Sequence, residues 1–196
     1  TERCRPIGVA IWRSLDGRTW LRVDPGRAFE RSTVTGVAAG RDGLLAIGLD
    51  RRGAPTSWTS VDGTAWTPVP LDGSTFADAD LMDVAWASDR WVITGATGAQ
   101  PTTPGGVGTP NGSAGAAWTS SGGLTWTPAT VEGTGEQVEL REVFAGRDGL
   151  TAIGTLMGGH QGAVWTSADG TAWTLTGDSS NGALPSPWPA ASDGVH

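Results

Sequence analysis

The sequence predicts an all-β protein, a β-propeller of four-stranded antiparallel blades, from three observations. A tryptophan-containing motif recurs four times along the 196 residues. A second motif, in which two short apolar runs flank a polar turn, precedes three of those copies. The chain also contains 31 Gly and 12 Pro, a content typical of folds with many turns between short strands. We therefore expect about four blades, the first or last of which is composite or incomplete.

The first motif reads W-x-S-x-[D/G]-G-x-x-W. Its copies occupy residues 12–20, 58–66, 118–126 and 165–173. Asp-Gly between strand-like segments favours a tight turn, because Gly tolerates positive φ and Asp bonds its own backbone. Asp16, Asp62 and Asp169 are therefore predicted to form turns, and the third copy has Gly122 at this position. If each turn has two residues, the two tryptophans of a copy point to opposite faces of the sheet.

The second motif has the pattern of a β-hairpin. Its copies occupy residues 37–48, 84–95 and 143–154. Together, the two motifs make each repeat a pair of hairpins joined by a connection, which gives four strands, A to D. The repeat length of about 47 residues matches a propeller blade. Pro68 and Pro128 fall in strand D, where proline is tolerated because this strand is the exposed edge of a blade.

These strands divide the chain into a C–D hairpin, three blades and a tail that resembles the start of an A–B hairpin. The predicted bounds are 8–24 for the hairpin, 34–70, 80–130 and 139–177 for the blades, and 178–196 for the tail. Residues 97–113 form a Gly/Pro-rich loop between strands B and C. Two arrangements fit the whole chain, residues 1–196. It forms one propeller domain with a composite terminal blade, or half of a propeller completed by a second copy or by further chain.

Charge and composition exclude several classes of function. The formal net charge is −7, and the 13 basic residues, all Arg, are scattered. Nucleic-acid binders carry a basic patch that displaces counterions from phosphates, so no nucleic-acid partner is predicted. No segment has the ~18 apolar residues of a membrane span, and no signal peptide is visible at the start.

Metal and cofactor sites are not predicted either. The lone Cys4 makes no intrachain disulfide, and His160, His196 and Cys4 lack the spacing of metal ligands. No Gly-rich stretch follows a strand and opens a helix, so no phosphate-binding loop is expected.

The tryptophan motif resembles the Asp-box (BNR) repeat of sialidase-like β-propellers. The usual box is S-x-D-x-G-x-T-W, and the copies here read S-x-D-G-x-x-W, one residue shorter. The resemblance covers residues 8–177 and implies a propeller in which the box is a structural turn away from the active face. The family includes sialidases, xyloglucanase-like hydrolases, sortilin-type receptors and a photosystem assembly factor. It also implies an extracytoplasmic or secreted location.

Sialidase chemistry is not expected. The resemblance implies a Tyr nucleophile, and the chain has no Tyr. The residues nearest to an F-R-I-P-like motif, at positions 4–7, are in the wrong order.

Another glycosidase needs two carboxylates, and strand A lines the channel of a propeller. Asp83 and Glu142 hold matching positions there and are the candidate catalytic pair, with Gly36 as their counterpart in the preceding blade. Candidate ligand-binding residues complete the set. They are Asp80, Glu139 and Arg141 near the channel and Trp188 in the Pro-rich tail. The alternative interpretation of these charges is a solvated loop offset by Arg141.

Eight of the 11 tryptophans are repeat positions and are expected to pack in the core. Only Trp86, Trp91 and Trp188 fall outside the motif.

The sequence favours a non-catalytic binding or assembly module, with a glycan or protein ligand on the channel face or along residues 97–113. The alternatives are a carbohydrate-active hydrolase whose site is completed by a second copy, and a structural block that self-associates through its incomplete blade. The expected partners therefore include a second copy of the chain or another blade-completing chain.

Overall fold

The computed structural model describes residues 9–98, 113–133, 137–156 and 161–179, which contain fifteen β-strands and no α-helix. The strands are β1 (Ile11–Arg13), β2 (Leu21–Val23), β3 (Thr33–Gly40), β4 (Gly43–Leu49), β5 (Pro55–Ser60), β6 (Thr67–Pro70), β7 (Ala79–Ala87), β8 (Arg90–Thr97), β9 (Ala114–Ser120), β10 (Thr127–Pro128), β11 (Thr130–Val131), β12 (Glu139–Gly146), β13 (Gly149–Leu156), β14 (Gln161–Ser167) and β15 (Ala172–Asp178). No helix in these ranges is long and apolar enough to span a membrane.

Three antiparallel meanders make up most of the structure. The first blade has the strand order β3-β4-β5-β6, the second β7-β8-β9-β10, and the third β12-β13-β14-β15. In each blade these four strands are A, B, C and D in chain order. The strands β1 and β2 form a separate hairpin. The predicted all-β class of four-stranded blades is confirmed. The division of the chain into one propeller or half of one stays a prediction.

Neighbouring blades pack against each other through apolar faces, with strand A of each blade beside strand A of the next. Between the first and second blades, Leu45 and Ile47 meet Leu81, Val84 and Ile93. The equivalent cluster between the second and third blades includes Ala85, Val92, Leu140, Val143 and Trp165. A sheet with both faces buried explains the near-continuous apolar runs of strand B.

The connection between strands C and D is longer than a two-residue turn. In the first blade the last pair of the β5–β6 ladder is Thr59 and Thr67, and residues 61–66 form the loop between the two strands. Inside the loop, the backbone N–H of Gly63 donates to Ser60 Oγ at 2.9 Å, and Trp66 Nε1 donates to the Gly63 carbonyl at 3.1 Å. The same two bonds recur in the second and third blades.

This loop makes one tryptophan prediction wrong. The two tryptophans of a box do not point to opposite faces, because both contact the same phenylalanine. Phe29 lies 4.9 Å from Trp58 and 5.5 Å from Trp66 between ring centroids. Phe76 contacts Trp118 and Trp126 in the same way, at 5.0 and 6.0 Å. The alternation of a pleated strand ends with the ladder, and the loop turns the second tryptophan back onto the face of the first.

Every A–B ladder contains a β-bulge at the same place. The register shifts between Val34 and Gly36 in the first blade, Leu81 and Asp83 in the second, and Leu140 and Glu142 in the third. A glycine of strand B faces each bulge; in the second blade a Cβ on Gly95 would lie 2.0 Å from the Asp80 carbonyl oxygen. The register confirms that Gly36, Asp83 and Glu142 are equivalent positions.

The outer edges of the blades are protected in two ways. Pro68 and Pro128 lie in the outermost strands β6 and β10, as predicted. The outermost strand of the third blade, β15, has no proline, and β11 pairs with it in parallel. The N–H of Thr130 donates to the Thr171 carbonyl at 2.9 Å, which fixes this added strand.

Candidate functional site

The candidate site is an open cavity of about 530 Å³ at the ends of the A strands, which we call the A-strand cavity. It is lined by Thr35, Asp80, Leu81, Met82, Asp83, Arg141 and Glu142. Three of these residues, Thr35, Met82 and Arg141, are the extra residues of the three bulges. Because a bulge changes the direction of the side chains that follow it, the same irregularity in successive blades brings these positions to one surface.

Asp83 joins the second blade to the third. Its Oδ2 accepts a hydrogen bond from the backbone N–H of Val143 at 3.0 Å. Burial raises the pKa of the Asp83 carboxyl above its ordinary value. Hydrogen bonds from the Val143 and Val84 backbones oppose this rise, and the charge of Glu142 adds to it. The carboxylate therefore acts as a backbone acceptor at the junction of two blades.

Asp80 is a second carboxyl with a raised pKa, and the main cause is again burial. The charge of Glu139 raises the pKa of Asp80 further, and Arg141 opposes it. Glu139 is buried and pairs with Arg141, whose Nη2 lies 2.5 Å from Glu139 Oε2. Among the described residues, Arg141 Nε is buried without a hydrogen-bond partner.

The structure therefore brings together the candidate residues of two blades. Asp80, Asp83, Arg141 and Glu142 line the cavity itself, and Glu139 lies beside them as the ion-pair partner of Arg141. Among the described lining residues Arg141 is the only cation, and it is paired with Glu139, so Asp80, Asp83 and Glu142 make the cavity acidic. Within the described ranges, no group of three or more His, Cys, Asp or Glu side chains could hold a metal ion.

The box aspartates lie in the C–D loops, far from this cavity along the blades. Asp16 accepts the backbone N–H groups of Arg18 and Thr19 at 2.8 and 2.7 Å. The bond from Thr19, then the bond from Arg18, and then a bond from the Ser14 hydroxyl lower the pKa of Asp16 to about 2. The Thr64 hydroxyl and backbone N–H do the same for Asp62, whose pKa is also about 2. Thr171 lowers the pKa of Asp169 in the same way.

Two parts of the expected site fall outside the described residues: Trp188, and residues 99–112 of the Gly/Pro-rich loop. Conversely, sequence reasoning missed Thr35 and Met82 as lining residues. Neither side chain stands out by type. Only their position in the repeat could have indicated them: Thr35 precedes Gly36 and Met82 precedes Asp83, and the repeat alignment matches Gly36 with Asp83.

Comparisons with known proteins identify the fold. No family model and no curated protein matches this chain. Among solved structures, YCF48 bound to a D1 peptide matches with 15% identity and a TM-score of 0.52, over 81% of this chain and 43% of that chain. Exo-inulinase from Aspergillus awamori matches with 15% identity and a TM-score of 0.52, over 74% of this chain and 36% of that one. The chain has a β-propeller fold.

Trypanosoma rangeli sialidase in complex with sialic acid also aligns with this propeller, with 17% identity over 82% of this chain and 31% of that chain. Its TM-score of 0.46 is too low to support an argument about the site. The propeller described here spans less than half the length of the solved structures that it matches. At these identities the likeness shows the fold alone.

Proposed function

We propose that this propeller is a non-catalytic binding and assembly module that acts outside the cytoplasm and holds a protein segment in the A-strand cavity. The observation that carries the proposal is the hydrogen bond from the Val143 N–H to Asp83 Oδ2. A catalytic carboxylate must be able to reach the reacting atom. Asp83 is instead held by backbone groups of two blades, so this member of the candidate catalytic pair has a structural role.

The charge of the cavity indicates which segment fits. Asp80, Asp83 and Glu142 line it, and Arg141, the one cation in the described part of the lining, is paired with Glu139. A cavity with this balance attracts cationic groups and disfavours anionic ones. The proposed ligand is therefore a peptide segment that presents an Arg or Lys side chain.

A solved structure of the same fold supports a peptide as the class of ligand. YCF48, with which this chain shares 15% identity, was solved bound to a D1 peptide. That observation concerns YCF48, and it supports the proposal by demonstrating that a propeller of this fold binds a peptide. The proposed extracytoplasmic location rests on the resemblance of the four boxes to the Asp-box repeat.

A peptide selection tests the proposal. A phage-displayed library is selected on the immobilised protein, and the enriched peptides are measured by isothermal titration at two salt concentrations. We expect enriched peptides to contain Arg or Lys and to bind more weakly at high salt. The double variant Asp80→Asn/Glu142→Gln should lose binding, whereas Asp148→Asn, on an exposed turn outside the cavity, should retain it. Peptides without basic residues, or equal binding by both variants, would overturn the proposal.

A turnover assay separates this function from the hydrolase interpretation. The protein is incubated with a panel of 4-nitrophenyl glycosides and with inulin, and released product is measured. We expect no turnover above the rate without protein. Turnover that Asp83→Asn or Glu142→Gln abolishes would establish a glycosidase and refute the non-catalytic proposal.

Self-association is a second candidate function, favoured by the hairpin β1–β2. Trp12 and Trp20 of this hairpin are each 56% exposed, whereas Trp58 at the equivalent position of the first blade is 1% exposed. The hairpin and the first blade enclose a mainly apolar groove of about 480 Å³. Light scattering under reducing conditions should then give twice the mass of 20.1 kDa, and Trp12→Arg should return the monomer. A monomeric wild type would exclude this candidate.

A further inference from the structure

A second cavity, of about 480 Å³, lies between the first and second blades at the end that carries the C–D loops; we call it the box cavity. Its lining includes the side chains of Asp62, Trp86 and Trp91 and the backbone of Gly122. Along β7, Trp86 is three residues from Asp83, the nearest residue of that strand in the A-strand cavity, which at ~3.3 Å per residue separates the two cavities by about 10 Å. The two cavities share no lining residue.

The first notable feature of the box cavity is a pair of tryptophans found in only one blade. Trp86 and Trp91 face each other across the end of the β7–β8 ladder. The equivalent cross-strand pairs in the first and third blades are Ala39–Leu44 and Ala145–Leu150. Small and aliphatic residues therefore suffice for the fold at this position, and the two indoles are an addition specific to the second blade.

The second feature is the missing aspartate of one box. Gly122 stands where the other three boxes have Asp16, Asp62 and Asp169. A Cβ on Gly122 would meet no atom within 4 Å, so the position opens into free space. Gly122 lines the same cavity as Trp86 and Trp91. Two separate departures from the repeat, in strands A and B and in the C–D loop, thus converge on one cavity.

The tryptophans form a rigid wall. Their ring centroids are 4.8 Å apart at an interplanar angle of 68°, an edge-to-face arrangement. Trp91 is buried in the cluster between the blades, and Trp86 is half-buried and packs on it. Gly40 of the first blade closes over them, since a Cβ there would lie 2.5 Å from the Trp91 ring. The position of Trp86 is thereby fixed without a ligand.

The polar groups of the cavity complement this wall. Its lining includes the hydroxyl-bearing residues Thr59, Thr67 and Ser121 and the acidic residues Asp42 and Asp62. No Arg or His belongs to the part of the lining that the structure describes. Anionic ligands such as phosphates or acidic sugars therefore lack a partner. An apolar ring face with hydroxyl and carboxylate groups around it matches a neutral sugar, which has a C–H face and hydroxyl edges.

We propose that the box cavity binds a neutral pyranose sugar, which stacks on Trp86 and is oriented by hydrogen bonds to Asp62 and the neighbouring hydroxyls. A cation is the other ligand that aromatic rings and carboxylates attract. It fits less well, because Trp86 and Trp91 pack on each other and do not enclose a space between them. This inference goes beyond the proposed peptide function and uses none of its residues.

Saturation-transfer NMR and isothermal titration with cellohexaose, xylohexaose and laminarihexaose test the inference. We expect at least one of these oligosaccharides to bind the whole protein. Trp86→Ala gives the second blade the residue that its neighbours have, so it should fold normally. It should lower the affinity about tenfold or more. Gly122→Asp restores the box residue, fills the open space and should weaken binding to a similar degree.

Two controls make the test decisive. Trp20→Ala removes an exposed tryptophan outside the cavity and should bind like the wild type. Tetramethylammonium is titrated in parallel as the cationic probe. The inference is overturned if none of the sugars binds at millimolar concentration, if Trp86→Ala and Gly122→Asp both bind normally, or if only the cation binds. Peptide binding in the A-strand cavity would survive each of these outcomes, so the two proposals fail separately.

Discussion

Gly36 of the first blade lies directly against Asp83 of the second, so that a Cβ on Gly36 would be 3.0 Å from Asp83 Oδ1. Asp83 in turn accepts the Val143 N–H of the third blade. Equivalent positions of three successive blades therefore stand in one row. The row consists of Gly36, Asp83 and Glu142. The Asp83 carboxylate accepts a hydrogen bond from the next blade, whereas the Glu142 carboxylate has no hydrogen bond in the described part of the chain.

Gly36→Asp should destabilise the protein by about 1–3 kcal/mol, because it places a second carboxylate and extra atoms beside Asp83. The measurement is urea unfolding at pH 7 and again at pH 3. The part of the lost unfolding free energy that comes from charge repulsion should disappear at pH 3, where carboxyls are protonated. The part that comes from steric overlap should remain. Gly73→Asp is the control, since a Cβ at Gly73 meets no atom within 4 Å. An equal loss in both variants would contradict this account of the row.

Asp83→Asn should leave stability at pH 7 unchanged or increase it, whereas Asp83→Ala should lower it by about 1–3 kcal/mol. Asparagine keeps an oxygen for the Val143 N–H and cannot ionise, while alanine leaves that buried N–H without an acceptor. Thermal and urea unfolding of the two variants provide the comparison. The prediction fails if asparagine is as damaging as alanine.

The pH dependence of stability should contain two opposite contributions. Burial raises the pKa of Asp80 and Asp83 above 3.8, so their ionisation opposes folding. That cost is present at neutral pH and disappears as pH falls through the raised values towards 3.8. Asp80→Asn should therefore stabilise the protein at pH 7 and have little effect at pH 3. A destabilising effect of Asp80→Asn at pH 7 would show that the carboxylate is needed in its charged form.

The turn aspartates act in the other direction. The pKa values of Asp16 and Asp62 are lowered to about 2, so each stabilises the fold above pH 3.8 and loses this effect as pH falls through 2. Asp62→Ala should lower the urea midpoint at pH 7 and approach the wild type at pH 2. Asp148→Ala, on an exposed turn, is the control. If the effect of Asp62→Ala does not depend on pH, its carboxylate charge has no role in the turn.

Trp58→Ala should cost about 3–5 kcal/mol, because the side chain is 1% exposed and its Nε1 donates to the Ala28 carbonyl at 2.8 Å. Trp20→Ala, which removes a 56% exposed side chain, should cost much less. Both values come from urea unfolding followed by circular dichroism. Similar losses would indicate that Trp20 is covered in solution, which would support self-association.

The repeat is why most of the fold could be predicted from the sequence. The hairpin pattern recurs three times and the tryptophan box four times, so the assignment of strands does not depend on any single segment. The prolines of β6 and β10 indicate the outer edges of the first two blades. The six-residue C–D loop was missed because Asp-Gly favours a two-residue turn by local chemistry, while hydrogen bonds of Ser60 and Trp66 to Gly63 stabilise a longer loop. The strand β11 was missed because its partner lies about 40 residues away, and two residues carry no strand pattern.

The candidate site was predictable as a set of positions. Aligning the repeats placed Asp83 and Glu142 at equivalent points, and the bulges explain why they and Arg141 face one cavity. The role of Asp83 was not predictable, because its partner is a backbone N–H on another blade, which has no sequence signature. The cavity formed by Trp86 and Gly122 required the structure as well, since those residues belong to different hairpins.

The pairing of β11 with β15 determines how this protein can aggregate. An open strand edge is a template on which other chains add in cross-β fashion. Proline blocks that growth on β6 and β10 in every conformation, but on β15 the block is only the docked segment of Thr130 and Val131. This segment pairs with only Ala172 and Trp173 of the seven-residue strand, so its local opening would lengthen the strand edge by those two residues. The outer edge of the third blade is therefore the one at which we expect a further strand to add, and detachment of β11 would extend it.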